Sequence, residues 1–234
     1  MALPKIDVPV YSIALPSTGE VIKYRPFLVR EQKQLLIAQN AGLEQQTQAV
    51  IDLVADCTFN KLDVRKLPAY DLEFLFLRLR ANSVGENIDL ILTCGECENR
   101  QDSRLDLTEV TVQKPEGHEH NIDLGQGLIL NLVDPNLESL AQLRGQTSPD
   151  VNQIIGLIAS CIKTIWKDED MYAALDYSSA ELIEFVENLS PANFEKLEQF
   201  FLTMPKLRHE VKFKCSKCGA DNTAVMEGLQ SFFG

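Results

Sequence analysis

Ile88-Asp89-Leu90-Ile91-Leu92-Thr93-Cys94-Gly95-Glu96-Cys97 and, far downstream, Val211-Lys212-Phe213-Lys214-Cys215-Ser216-Lys217-Cys218-Gly219 follow one pattern: a strand-like alternation closed by Cys-x-x-Cys. Ile88, Leu90 and Leu92 share one side of an extended chain, as do Val211 and Phe213. Thiolates are soft ligands, and Cys-x-x-Cys lets two sulfurs grip one ion from a single tight turn. Cys94, Cys97, Cys215 and Cys218 together therefore form a four-sulfur site for a structural zinc ion, with iron as the other metal such a set accepts. Gly95 inside the first turn and Gly219 after the second supply permissive backbone. If both pairs hold the same ion, the long intervening chain must return to where it left. The expectation is then a single stapled unit, and a saturated ion suits an interaction module better than a catalyst.

The competing chemistry for Cys-x-x-Cys is redox. A thioredoxin-like pair sits at a helix N-terminus, whose positive end lowers the thiol pKa. Here Glu98-Asn99-Arg100-Gln101-Asp102 and Gly219-Ala220-Asp221-Asn222 follow the pairs, and both read as turns into another strand. Catalytic zinc keeps an open position and usually includes histidine among three protein ligands. His118 and His120 form His-x-His in a charged, turn-rich stretch and read as exposed loop residues, and His209 as a surface residue before a strand. No nucleophile elbow, phosphate loop or dinucleotide fingerprint is present, and the expectation is that the chain is not an enzyme.

With 234 residues the chain is long enough to bury a core without a metal's help. A net charge of −12 argues against a nucleic-acid backbone as the main partner. The residues that could still form a basic face are Lys206, Arg208, Lys212, Lys214 and Lys217, so a zinc-ribbon nucleic-acid or transcription-associated protein is the alternative reading. No segment reaches the apolar length of a membrane span, and the first residues lack an apolar signal core. Synthesis in a reducing cytoplasm follows, where paired Cys-x-x-Cys motifs are metal ligands or redox centres rather than disulfides. Cys57 and Cys161 fall on apolar helical faces and read as small buried hydrophobes.

The fold class is α+β: helices packed on small antiparallel hairpins, with a zinc-ribbon-like site built by the two strand–Cys-x-x-Cys hairpins. One domain over 1–234 is expected. Residues 1–28 form an extended hairpin about Pro16-Ser17-Thr18-Gly19. Residues 29–112 hold helices plus the first cysteine hairpin, with helical pattern from Val29 to Cys57 and from about Pro68 to Ser83. Residues 122–234 hold a hairpin at Gly125-Gln126-Gly127, then helices, then the second cysteine hairpin. The stripe Ile154, Leu157, Ile158, Cys161, Ile162 and Ile165 predicts one helix, and Phe194, Leu197, Phe200, Phe201 and Met204 another. Asp134-Pro135, Ser148-Pro149 and Ser190-Pro191 read as N-caps before a first-position proline, and Ser178 with Glu181 as a capping box. At the end, Phe232 and Phe233 either fold back or insert into a partner.

Ala2-Leu3-Pro4-Lys5, Leu15-Pro16-Ser17-Thr18-Gly19, Tyr24-Arg25-Pro26-Phe27-Leu28-Val29, Asp71-Leu72-Glu73, Phe76-Leu77-Arg78 and Ser83-Val84-Gly85-Glu86 together resemble the T4-type phage baseplate hub proteins. That resemblance covers at least the first hundred or so residues. It implies a non-enzymatic structural subunit or assembly factor of a contractile tail, with other tail and baseplate proteins as partners. It also implies a location in the host cytoplasm during assembly, or in the virion's tail baseplate. It carries no residue-level motif, so the zinc assignment rests on the cysteines.

Overall fold

The computed structural model describes residues 7–141, 150–229 and 231. They group into two compact units: the first from 1–64, 70–113 and 206–234, the second from 65–69 and 114–205. The second is thus inserted, in sequence, into the first. Ser148, Pro149, Phe232 and Phe233 lie outside the described residues.

The first unit begins with an antiparallel hairpin, β1 (Tyr11–Ala14) and β2 (Val21–Tyr24). Two antiparallel contacts of the backbone close its turn, between Leu15 and Glu20 and between Gly19 and Leu15. The helical pattern from Val29 to Cys57 is broken into α1 (Val29–Gln39) and α2 (Leu43–Cys57), with Gly42 as the N-cap of the second. Then comes α3 (Ala69–Val84), whose Leu72, Leu75, Leu77 and Leu79 are all essentially inaccessible. Burial on every side explains why its sequence is apolar beyond one stripe. From α3 the Arg78 guanidinium donates to the carbonyls of Leu107, Thr108 and Val110 at 3.0–3.1 Å, and lies over the Phe74 ring.

Next, β3 (Asn87–Thr93) and β4 (Arg100–Asp106) pair antiparallel through the first cysteine turn, and β5 (Thr111–Gln113) follows.

In the second unit, β6 (Asn121–Gly125) and β7 (Leu128–Leu132) form a hairpin whose turn residues Gly125, Gln126 and Gly127 all have positive φ. Gly127 has φ 74°, and a Cβ there would also press on the Asp168 carboxylate, so any other residue is strained at this position. A short helix, α4 (Leu137–Ala141), is capped by Asn136, whose Oδ1 accepts from Ser139 N at 2.8 Å. The expected cap, Asp134, is engaged elsewhere.

α5 (Val151–Cys161) starts at a capping box of Asp150 and Gln153. It is shorter than its isoleucine stripe predicts, because the chain turns directly into a strand, β8 (Ile162–Lys167). Ile162, Thr164 and Ile165 are β-branched and suit that state. The pairing with β7 shifts register between Asn131 and Leu132, so Ile162 and Ile165 are both buried despite their odd separation. The i, i+3 spacing that mimicked a helix is a bulge. β9 (Asp170–Ala173) completes the four-stranded order β6-β7-β8-β9. α6 (Ser179–Glu187) carries the Ser178–Glu181 capping box, and α7 (Pro191–Thr203) is capped by Ser190 ahead of Pro191, both as predicted. Leu124, Leu130, Leu132, Ile158, Ile165, Val186, Leu197 and Phe200 form this unit's core.

The chain returns to the first unit as β10 (Lys206–Lys214) and β11 (Asp221–Glu227), joined by the second cysteine turn. β10 also pairs with β5, giving the order β11-β10-β5. His209, expected before the strand, lies within β10 opposite Met226.

A buried carboxylate, Glu31, contributes to this fold's acid response. The Glu31 side chain is 1% exposed and accepts from Arg25 Nη2 at 2.9 Å, Arg30 Nε at 2.6 Å and Leu28 N at 2.7 Å. Burial by itself raises its pKa, but the bonds from Arg25, Arg30 and Leu28 outweigh that and hold it at about 2. A carboxylate depressed in the folded state stabilises fully above its unfolded pKa, and that stability is lost as pH falls through the folded value. The contribution is roughly 3 kcal/mol. Urea unfolding should show Glu31→Gln less stable than the parent at pH 7 by about that much, with the gap closing between about pH 4.5 and pH 2.

Candidate metal centre

The same local turn is used twice. In the first, Cys94 N donates to Asn99 O at 2.9 Å and Glu98 N to Cys94 O at 3.1 Å; in the second, Cys215 N donates to Ala220 O at 2.9 Å and Gly219 N to Cys215 O at 3.0 Å. The residue after the second cysteine is left-handed in both: Glu98 with φ 56° and Gly219 with φ 74°. Gly219 fills the permissive role expected of it. Gly95 does not, since the left-handed position of its turn is taken by Glu98 at a steric cost.

All four cysteines belong to the first unit, and their sulfurs lie within 4.8 Å of one another. Across the two turns, Cys94 Sγ and Cys218 Sγ are 3.7 Å apart, as are Cys97 Sγ and Cys215 Sγ. With Zn–S bonds of about 2.3 Å, two sulfurs on one tetrahedral ion sit about 3.8 Å apart. The arrangement fits that geometry. The four sulfurs could hold a metal ion.

The two hairpins are also locked by an exchange of amides. The fourth residue after each second cysteine, Gln101 or Asn222, reaches the opposite turn. Ser216 N donates to Gln101 Oε1 at 2.8 Å, and Gly95 N to Asn222 Oδ1 at 2.9 Å. Gln101 Nε2 then donates to Lys214 O at 3.2 Å, while Asn222 Nδ2 lies 3.5 Å from Cys94 Sγ. Asn99 Nδ2 adds a contact to Ser216 Oγ at 3.3 Å. Sequence reasoning missed these amides. Their signal was present as an Asn or Gln at a fixed distance after both pairs. Such groups orient ligands in metal sites.

Electrostatics separate the sulfurs. Cys215 is lowered to about 6 by N–H groups of Cys218 and Lys217 pointing at its sulfur, and Cys94 is lowered by those of Cys97 and Glu96. Cys218 goes the other way. The Ala220 N–H favours its thiolate, but the nearby Cys97, Cys215 and Cys94 sulfurs outweigh it and push the thiol up to about 12. Four thiolates cannot share this space without a cation to offset their charge. Cys57 and Cys161 are fully buried outside the cluster, raised by burial to about 11 and about 12, and so are inert.

Over residues 8–234 the chain matches the family described as T4 bacteriophage base plate protein. It belongs to that family. Membership makes it a phage baseplate protein, with other phage tail proteins as its partners and the virion tail as its place. None of the curated proteins or solved structures compared with the chain gives a significant match. Among the described residues, no helix is long and apolar enough to cross a membrane.

Of the histidines expected on exposed loops, His120 is about half exposed, but the His118 side chain is only 8% exposed and bonded to Asp134. Lys206 and Arg208 of the expected basic face pair with Glu227 and Glu210 at 3.0 Å.

The left-handed Glu98 yields a direct test. Replacing it by glycine removes the Cβ penalty of roughly 1 kcal/mol, and Gly219→Ala introduces a comparable one. Chemical denaturation should rank Glu98→Gly at or above the parent and Gly219→Ala below it.

Proposed function

We propose that this chain is a non-enzymatic structural or assembly protein of a contractile-tail baseplate hub, acting through protein–protein contacts. In this reading Cys94, Cys97, Cys215 and Cys218 hold one structural zinc ion, and residues 1–234 work as one module made in the host cytoplasm. The observation that carries the reading is the convergence of two remote Cys-x-x-Cys turns, in a baseplate-family chain, into a four-sulfur cluster of tetrahedral dimensions. Zinc is preferred to iron because a redox-silent ion serves a purely structural role. The bound ion would neutralise the crowded thiolates and clamp β3–β4 to β10–β11. A ligand set of four sulfurs leaves no position for substrate.

The nucleic-acid alternative loses ground with the pairing of Lys206 and Arg208 to glutamates, which cancels two of its five positive charges.

Two measurements test the proposal at different levels. Purified protein should contain one thiolate-bound zinc per chain, absent from a Cys97→Ser/Cys218→Ser variant. Stripping it with a chelator should lower the unfolding midpoint by roughly 10 °C. Iron in its place, or no thiolate-bound metal at all, would end the zinc assignment. For the hub role, a phage lacking this gene should accumulate no complete baseplates until the gene is supplied. Normal baseplates in its absence would remove that role and leave the metal question standing.

A further inference from the structure

The second unit brings together another set of ligand atoms. His118 and His120 lie on the stretch entering β6, and Asp134 follows β7. The main-chain bond from Leu132 N to His120 O, 2.8 Å, extends the β6–β7 ladder to the edge of this cluster. His118 Nε2 is 3.0 Å from Asp134 Oδ1, and His120 Nε2 is 3.3 Å from Asp134 Oδ2. The Asp134 side chain is 4% exposed. Phe200 packs beside both rings, with centroids 4.6 Å from His118 and 5.8 Å from His120.

His118 Nδ1 is 3.2 Å from Thr203 Oγ1, and the Thr203 hydroxyl donates to Gln199 O at 2.8 Å. A Thr203 hydroxyl that donates to Gln199 O accepts from His118 Nδ1–H, the tautomer that leaves the Nε2 lone pair for a cation. In that tautomer the Nε2 lone pair faces a buried carboxylate oxygen of Asp134. Two lone pairs at that distance repel unless a cation lies between them. A proton is one solution and a metal ion the other. A metal-ligating histidine is commonly held by a hydrogen bond from its other ring nitrogen, the place Thr203 takes at His118.

We propose that His118, His120 and Asp134 form a second binding site, for a divalent transition metal of the zinc class. Two nitrogen or oxygen ligands on one tetrahedral ion lie about 3.3 Å apart, which the observed separations approach. Two imidazoles and one carboxylate favour zinc, cobalt or nickel over calcium or magnesium. Three protein ligands leave one position open, on the side where His120 meets solvent. This site is independent of the four sulfurs: it differs in donor chemistry and lies in the other unit.

The test is titration of the metal-free, reduced full chain with Co²⁺. Two equivalents should bind, one with an intense thiolate-to-cobalt charge-transfer band and one with only weak visible bands. A His118→Ala/His120→Ala variant should keep the charge-transfer band and lose the second equivalent. Thr203→Val, which removes the group that sets the tautomer, should weaken the second equivalent about tenfold. Absence from the parent of the equivalent with weak visible bands, or its survival in the double variant, overturns the proposal; loss of the charge-transfer band alone bears only on the four sulfurs. Nitrogen NMR of the parent guards against a variant that fails to fold. Added Zn²⁺ should move the Nε2 resonances of His118 and His120 to metal-bound positions and leave His118 Nδ1 protonated. Ring nitrogens that ignore the ion would mean that a proton alone fills the gap.

Discussion

The convergence of four sulfurs is the constraint that brings the two cysteine hairpins of the first unit together. β3–β4 is a two-stranded hairpin, and such a pair alone is marginal in water. Here each turn aims main-chain N–H groups at a sulfur, and each hairpin lends an amide, Gln101 or Asn222, to the opposite turn. The same packing that lowers Cys94 and Cys215 raises Cys218, because negative charge on neighbouring sulfurs cannot be spread further. Charge crowding and tetrahedral spacing point to the same remedy, a bound cation.

That constraint also governs topology. β3–β4 comes from the first half of the chain and β10–β11 from its end, and β10 pairs with β5 to bring the returning strand beside its point of departure. The inserted unit has its own sheet, its own helices and its own core. Its lengthy excursion costs little in loop-closure entropy, since that cost grows only with the logarithm of length.

Much of this was legible because the signals are local. Cys-x-x-Cys after a period-two run, Ser190 before Pro191, and Ser178 three residues before Glu181 each describe a turn or cap that forms from neighbouring residues. The errors came where distant partners choose between local options. Ile162 and Ile165 fit a helix stripe, yet β7 recruits them into a strand and a register shift buries both. Asp134 before Pro135 looked like a cap, but His118 and His120 claim its carboxylate and Asn136 takes the cap. Gly95 was expected to supply the permissive backbone of its turn, but the left-handed position falls on Glu98.

By itself the sequence determined the cysteine turns, the caps at Ser178 and Ser190 and most of the helices, because those follow from spacing within a few residues. Tertiary structure alone decided which groups meet: the crossed amides of Gln101 and Asn222, the division into two units, and the burial of His118 against Phe200 and Asp134. Residues far apart in the chain carry no mutual periodicity. Their encounter is set by how strands pair and helices pack, and only the folded chain contains that information.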